Sequence, residues 1–326
     1  MTTHPIPSEP RRGATPARER KACPSDRVRA ERTPEGRVFL RGGLSAAQAL
    51  QAVRAHRSAL SGRGGEVVKR DVKTNVTLIE WDGSLGADSS TPADSSSPAE
   101  AADLRRAGAA DLRRAGRLCV KEFVRAGPRC LLPRRIRHRP AIVSWRVASR
   151  LAALGIGMPD TLGLVIGKGA SSYLIMRVLE GFESLAQYAR GALGPATTTE
   201  RRRAFLRAGA DFLGRCYSSR VFHRDLKASN VFVRETEGGG WEFSLLDLAA
   251  VRFPRRIRFE NQLLNLAQLN SSVPLEVTRT DRMRFLRRLA ERAPFDVAHR
   301  RPSLADRSAM AEVARLTRTR GCVWSR

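Results

Sequence analysis

The stretch VFHRDLKASNVFV, at positions 221–233, sets an acid, a lysine and an amide into one short loop between apolar residues. Phosphoryl transfer from a nucleotide needs few protein groups: an acid that accepts the proton of the attacking hydroxyl, oxygen ligands for Mg²⁺, and a cation beside the transferred phosphate. Asp225 suits the first role, Asn230 the second and Lys227 the third. The alternative is a polar turn between two buried elements, in which Asp225 only caps a helix or a turn.

The residues that follow the loop favour the chemical interpretation. The segment VFVRETEGGGWEFSLLDLAAV predicts a hairpin, with strands at 231–234 and 242–246 on either side of a glycine-rich turn. The second strand leads directly to Asp247, whose carboxylate would return beside the loop. We therefore interpret Asp247 as a second Mg²⁺ ligand and Asp225 as the catalytic acid.

The elements that must hold this loop follow a change of pattern along the chain. Ser45 is a typical N-cap, and the residues around it predict a helix over 44–60. Runs of Val, Thr and Ile predict two strands joined by a turn within 66–81. Further predicted elements are a strand at 117–125 that carries Lys121, a helix at 139–154 and two buried strands within 161–181.

After Gly181 the pattern is mostly helical apart from the hairpin. This order predicts an α+β fold of two lobes, a small β-rich N-lobe over 36–180 and a mostly helical C-lobe over 181–326. Residues 1–35 contain little to bury and predict a disordered basic tail. Residues 83–116 predict a surface insertion, because a Ser/Pro-rich linker there leads into two copies of AADLRRAG.

The charge of the chain favours an anionic partner. The formal net charge is +27, and only six of the 59 basic residues are lysine. Such a charge attracts nucleic acid, anionic lipid or phosphorylated glycan alike. The basic residues are spread along the chain and aromatic residues are only 6%, which argues against nucleic acid. The charge suits an anionic sugar or glycolipid as partner but does not single it out.

The cysteines and the apolar runs bear on the compartment. Five cysteines lie far apart without a CxxC pair, which argues against a disulfide framework and a structural zinc site. The N-terminal residues contain no apolar signal region, and no apolar run approaches the ~20 residues that cross a bilayer. We expect a cytoplasmic protein whose charge is compatible with peripheral contact at the inner membrane face.

Four sequence features together resemble the lipopolysaccharide core kinases, bacterial enzymes of the protein-kinase-like superfamily that phosphorylate Kdo or heptose sugars. The features are VKEF around Lys121, FHRDLKASNVFV, LLDLAAVRF, and the segment NLAQLNSSVPLEVTRTDRMRFLRRL at 265–289. The resemblance covers about residues 65–290. It implies a two-lobed kinase fold, ATP and Mg²⁺ as cofactors, and these roles: Lys121 on the α- and β-phosphates, Asp225 as base, Asn230 and Asp247 on Mg²⁺, His223 and Arg224 as braces of the loop.

The chain departs from the kinase pattern in three places. The hairpin at 66–81 has no GxGxxG, so Lys69, Lys73 or Asn75 would have to contact the phosphates instead. The helix at 139–154 contains no acid that could pair with Lys121, and Glu122 points to the opposite face of the strand. DLAAV replaces DFG, and no long segment ending in APE follows it.

The short segment after Asp247 favours a sugar hydroxyl as acceptor, because protein kinases use the long segment to hold a peptide. The resulting hypothesis is an ATP-dependent kinase of a lipopolysaccharide-core-like sugar or a similar small acceptor. Two alternatives stay open: an atypical Ser/Thr protein kinase, and a pseudokinase scaffold that holds no nucleotide productively.

Overall fold

A computed structural model describes residues 28–81, 116–125, 133, 138–194, 196–292, 304 and 306–320. Over these ranges the chain forms twelve β-strands and seven α-helices. The strands and helices predicted before residue 181 are all present, as is the hairpin that leads to Asp247.

The N-lobe is built on one antiparallel sheet of seven strands in the order β1-β2-β6-β7-β5-β4-β3. Burial alternates along β2, whereas β6 and β7 at the centre of the sheet are buried on both faces and β3 at its edge is exposed. The strands are β1 (Arg29–Thr33), β2 (Gly36–Leu40), β3 (Glu66–Arg70), β4 (Thr74–Trp81), β5 (Gly116–Phe123), β6 (Thr161–Gly167) and β7 (Ser172–Arg177).

Two helices cover the opposite faces of this sheet. Helix α1 (Ala46–Leu60) packs with Val120 and Ile175, whereas helix α2 (Arg139–Ala153) packs with Leu174 of the same strand β7. Neighbouring residues of a strand face opposite sides, so the two helices lie on the two sides of the sheet. The centre of the sheet is therefore covered on both faces, and alternate side chains of β5 face one helix or the other.

Helix α1 begins where the sequence predicts. The Ser45 side chain accepts a hydrogen bond from the Gln48 N–H, and the Gln48 side chain accepts one from the Ser45 N–H. This reciprocal capping box satisfies two backbone donors at the start of the helix.

The prediction of a disordered tail up to residue 35 is wrong for β1. Its sequence RAERT has no residue with a large apolar side chain, and four of its five residues are exposed. The strand is held by its ladder with β2, which runs from Arg29 opposite Leu40 to Thr33 opposite Gly36. Residues 1–27 lie outside the described residues. So does the predicted insertion, apart from Gly116, which begins β5.

The C-lobe is mostly helical around two short sheets. Its sheets have the strand orders β11-β10-β8 and β12-β9. Strand β8 is Glu183–Ser184, β9 Phe222–His223, β10 Val231–Glu235, β11 Trp241–Leu245 and β12 Val251–Arg252; helix α3 is Leu185–Ala192, α4 Thr199–Ser218, α5 Phe259–Ser272, α6 Arg279–Arg292 and α7 Arg307–Thr319.

One apolar cluster fills the C-lobe and reaches into the N-lobe. Phe243 of β11 stacks on Phe212 of α4 with ring centroids 5.2 Å apart. Leu151 of α2 and Ile156 after it belong to the same cluster. The two lobes therefore share a core, with α2 as the element common to both. In the ranges that the structure describes, no helix combines the length and the apolar character that crossing a bilayer requires.

We predict that Gly157→Ala destabilises the protein. Gly157 pairs with Ser244 of β11 as an isolated parallel bridge, and its carbonyl accepts the Leu245 N–H at 2.9 Å. An added Cβ would lie 2.1 Å from the Phe243 carbonyl oxygen. Because backbone atoms have to move, we expect the free energy of unfolding in urea to fall by roughly 1–3 kcal/mol.

Gly169→Ala is the matched control for this substitution. A Cβ at Gly169 would meet no atom within 4 Å, so its free energy of unfolding should stay close to that of the wild type. Equal stability of the two variants would contradict the proposed close approach at Gly157.

Candidate active site

The loop between β9 and β10 brings Asp225, Lys227 and Asn230 together. The Lys227 Nζ lies 3.1 Å from Oδ1 of Asp225. The Asn230 Nδ2 donates to the Asp225 carbonyl oxygen at 2.8 Å, and a 3₁₀ turn over Ala228–Asn230 fixes its direction. The side chains of Asp225 and Lys227 are 41% and 50% exposed, so both remain accessible from solvent.

His223 connects this loop to the end of the hairpin. The Asp225 N–H donates to Nδ1 of His223 at 3.2 Å, so Nδ1 carries no proton and Nε2 donates to the Leu246 carbonyl oxygen at 2.9 Å. Burial lowers the pKa of His223 against the opposing effects of the Leu246 hydrogen bond and the charges of Asp247 and Asp225. Through this tautomer His223 connects the Asp225 backbone to the Leu246 carbonyl, and its lowered pKa favours the neutral imidazole.

Asp247 stands at the turn after β11 with φ 47° and ψ 57°, in the left-handed region. Aspartate tolerates this conformation better than most residues, and here it turns the carboxylate toward the N-lobe. Oδ1 of Asp247 lies 2.9 Å from the Lys121 Nζ. Burial acts to raise the pKa of Asp247, but the charge and hydrogen bond of Lys121, with smaller effects of His223 and Lys69, hold it below its ordinary value.

Lys121 projects from β5 toward the C-lobe, and its side chain is 19% exposed. Its Nζ lies 5.2 Å from the centroid of the Phe123 ring. In the absence of an acid on α2, Asp247 itself pairs with this lysine. The sequence shows that α2 has no acid to pair with Lys121, but it does not show that Asp247 takes this place. Lys121 and Asp247 are brought together only by the packing of one lobe on the other.

Glu122 belongs to a separate polar group on the α1 side of the sheet, as strand alternation predicts. Oε2 of Glu122 accepts from the Asn75 Nδ2 at 2.7 Å and lies 3.5 Å from Nε2 of His56. Nδ1 of His56 lies 2.8 Å from the Thr77 hydroxyl. Burial opposes ionisation of Glu122, but hydrogen bonds from His56, Asn75 and neighbouring hydroxyls lower its pKa to about 2.

The three hairpin residues predicted to contact phosphates, Lys69, Lys73 and Asn75, have different positions. Asn75 is bound to Glu122 on the far face. The Lys73 N–H donates to the Asp71 carboxylate at 3.3 Å, and the Lys73 carbonyl accepts from Val124. Lys69 follows a bulge in β3, lies 3.6 Å from Asp71, and contributes to the low pKa of Asp247. Lys69 is therefore the hairpin residue whose charge acts on the site.

Two buried amides of α5 hold the backbone of the loop between β9 and β10, and we did not predict them from the sequence. The Asn265 Nδ2 donates to the His223 carbonyl at 2.7 Å. The Gln268 Nε2 donates to the Arg224 carbonyl at 2.6 Å, and its Oε1 accepts the Leu226 N–H at 2.9 Å. Asn265 is 0% and Gln268 2% exposed, so these bonds satisfy polar groups that water does not reach.

Ser272 continues this polar row and accepts the Ala228 N–H at 2.8 Å. Residues 265, 268 and 272 are three and four positions apart, which sets them on one face of α5. The signal in the sequence is polar residues at helical spacing within the otherwise apolar run LLNLAQL. That spacing predicts a buried polar face, but the partner of the face depends on the tertiary fold.

The side chains at this site suit Mg²⁺ and a nucleotide. Mg²⁺ is commonly bound by one or two protein oxygens completed by water and substrate phosphates. The Asn230 amide donates through Nδ2, so its Oδ1 is an oxygen donor beside Asp225, and Asp247 supplies a carboxylate. Over the described ranges, no group of three or more His, Cys, Asp and Glu side chains could hold a metal by itself, so the phosphates would have to complete the coordination.

Two cavities lie away from the Lys121–Asp247 pair. One of about 920 Å³ is apolar and lies among α3, α4, α5, α6 and α7 in the C-lobe. The other, of about 690 Å³, lies at the segment between β12 and α5. Arg255, Arg256 and Arg258 line it together with Glu260.

Comparison with known proteins supports the resemblance seen in the motifs. Residues 132–288 match the model of the lipopolysaccharide kinase (Kdo/WaaP) family, over a segment that contains the catalytic loop and Asp247 and begins after Lys121. The chain is also similar to a solved structure of WaaP in complex with acyl carrier protein, with 17% identity and a TM-score of 0.55 over 86% of this chain and 98% of that chain. No curated protein matches the sequence. The predicted family resemblance and fold are confirmed.

We predict that Glu122 stabilises the fold above its ordinary pKa of 4.5 and loses this effect as the pH falls toward about 2. Glu122→Gln should lower the free energy of unfolding at neutral pH by roughly 2–3 kcal/mol. The difference from the wild type should narrow steadily below pH 4.5. Urea denaturation at a series of pH values measures both effects.

Glu80→Gln is the control, because Glu80 lies on the adjacent strand β4 with its side chain 85% exposed. Its stability should follow the wild type at every pH. A Glu122→Gln variant with the same pH profile as Glu80→Gln would show that the buried network does not depend on an ionised Glu122.

Proposed function

We propose that this chain, a kinase of the lipopolysaccharide kinase (Kdo/WaaP) family over residues 132–288, transfers the γ-phosphate of ATP to a hydroxyl of a lipopolysaccharide-core-like sugar. The observation that carries the proposal is the meeting of two parts distant in sequence. Lys121 of the N-lobe contacts Asp247, and His223 links the strand before Asp247 to the loop of Asp225. A polar turn without chemistry would not require this convergence.

The side chains suit distinct roles in phosphoryl transfer. Asp225 is exposed and is oriented by its own backbone N–H on His223, so it can accept the proton of an acceptor hydroxyl. Lys227, 3.1 Å from Asp225, supplies positive charge where the phosphate is transferred. Lys121 would bind the nucleotide phosphates, and Asn230 and Asp247 would hold Mg²⁺. The bound Mg²⁺–ATP supplies the phosphoryl group and neutralises its charge.

The short segment after Asp247 supports a small or glycan acceptor. Eleven residues, 248–258, separate Asp247 from α5, and five of them already form a 3₁₀ turn and β12. That leaves too little chain for an extended surface on which a peptide lies. An acceptor anchored in a membrane would also suit the net charge of +27, since an anionic surface attracts such a protein.

Asp225→Asn tests the proposed chemistry. We expect incorporation of labelled phosphate from ATP into lipopolysaccharide-core glycolipid to fall by about 10²–10⁴-fold, because the amide cannot accept the hydroxyl proton. Thermal denaturation should be unchanged, since the Asp225 backbone groups make the bonds to His223 and Asn230.

Asp160→Asn makes the same chemical change at an exposed position and should retain full activity. Two results would contradict the proposal: normal labelling of glycolipid by Asp225→Asn, and label that appears in protein alone when cell protein and glycolipid are offered together. The second result would favour the atypical protein kinase.

Asp247→Asn tests nucleotide binding separately from turnover. Wild-type protein should gain several degrees in melting temperature with ATP and Mg²⁺ together, because a ligand that binds only the folded state stabilises it. The variant should lose the part of this gain that depends on Mg²⁺, whereas Asp160→Asn should keep it. A wild type that shows no shift at millimolar Mg²⁺–ATP would favour the scaffold without nucleotide.

A further inference from the structure

Three arginines from different elements lie near one another beside the loop that carries Asp225, because the charges of Arg224 and Arg139 act on Arg252. Strand β12 pairs with β9 so that Arg252 lies opposite Phe222. The Arg224 N–H, two residues further along, donates to the Ala250 carbonyl at 3.1 Å. Arg139 is the first residue of α2, which packs against this part of the C-lobe. Arg224 immediately precedes Asp225, so the group lies next to the proposed base.

Among the described residues, no acid forms an ion pair with Arg139, Arg224 or Arg252. Arg252 is partly buried, and burial together with the charges of Arg224 and Arg139 lowers its pKa. Its Nη1 donates to the carbonyls of Ala249 and Val251 at 2.7 and 2.6 Å, which fixes the guanidinium in place. Among the described residues, the side chains of Arg139 and Arg224 make no hydrogen bond or ion pair, and both are exposed.

The basic surface continues along the segment after β12. Arg255, Arg256 and Arg258 line the cavity of about 690 Å³, in which Glu260 is the one acid among the lining residues. Clustered like charges cost free energy, and an anion that binds among them removes this cost. Arginine in particular presents paired donors that match the oxygens of a phosphate.

We propose that Arg139, Arg224 and Arg252 bind a phosphate group carried by the acceptor, and so orient its hydroxyl toward Asp225. The identity of the acceptor rests on the proposed function, whereas the binding of an anion by the three arginines does not. The lysines whose charges act on Asp247 are Lys121 and Lys69. The nucleotide phosphates would bind at Lys121 in the proposed function, so the arginine group is available for a second anion.

The kinetic test compares Arg139→Gln and Arg224→Gln with Arg203→Gln, which removes the same charge from an exposed position of α4. With phosphorylated glycolipid, the first two variants should raise KM for the acceptor by about ten- to a hundredfold and leave KM for ATP unchanged. Wild-type protein should show the same rise in KM for the acceptor when the glycolipid is first dephosphorylated. With this dephosphorylated acceptor, the KM values of the variants should be close to that of the wild type. A rise in KM for ATP, or no rise for the acceptor, would overturn the proposal.

The binding test needs no turnover and therefore separates this inference from the proposed function. Inorganic phosphate without nucleotide should raise the melting temperature of the wild type and of Arg203→Gln. The double variant Arg139→Gln/Arg224→Gln should lose this rise. An equal rise in melting temperature in all three proteins would show that phosphate binds elsewhere and would overturn the anion site. This result does not depend on whether glycolipid is the acceptor. If the double variant loses the rise in melting temperature and the wild type does not phosphorylate glycolipid, the anion site is supported and only the proposed acceptor is rejected.

Discussion

The contact between Lys121 and Asp247 is the constraint around which the site is arranged. It joins strand β5 of the N-lobe sheet to the end of a C-lobe hairpin, 126 residues further along the chain. Because both groups are partly exposed, an ion pair of this kind adds only ~0–1 kcal/mol to stability. Its importance is positional: the rest of the fold must bring a strand of one lobe within hydrogen-bond distance of a turn of the other.

Strand β5 serves both sides of the sheet because its side chains alternate. Lys121 points to the site, whereas Glu122 points to α1 and is held by Asn75 and His56. The acid next to the lysine therefore stabilises the sheet from behind instead of pairing with it. Because α2 has no acid, the Asp247 carboxylate pairs with Lys121 in this structure. In the proposed reaction the same carboxylate would also bind Mg²⁺.

Local sequence patterns predict most of the elements that carry the site. The N-cap at Ser45, the strand of Lys121 and the hairpin before Asp247 each depend on residues close together in the chain, and the structure has all three. Strand β1 escapes prediction because backbone pairing with β2, not apolar burial, holds it. The strands β9 and β12 are two residues each and have no pattern of their own.

The amides of α5 mark a second limit of prediction. Asn265 and Gln268 are visible as polar residues in an apolar helix, but only the tertiary fold shows that they bind the carbonyls of His223 and Arg224. These bonds hold the backbone of the loop and leave the Asp225 side chain accessible to solvent. The loop needs this support because its own residues supply few backbone hydrogen bonds to each other.

Among the described residues, some arginines form ion pairs within the fold and others lie unpaired beside the candidate site, and composition does not distinguish the two. Arg202 with Asp281, and Arg288 with Asp211, form ion pairs that fasten α4 to α6 in the C-lobe. Arg139 and Arg224 have no such partner in the described part of the chain and lie beside the catalytic loop. A net charge of +27 is compatible with many anions, and it is the position of the unpaired arginines that turns a general attraction into a site for one.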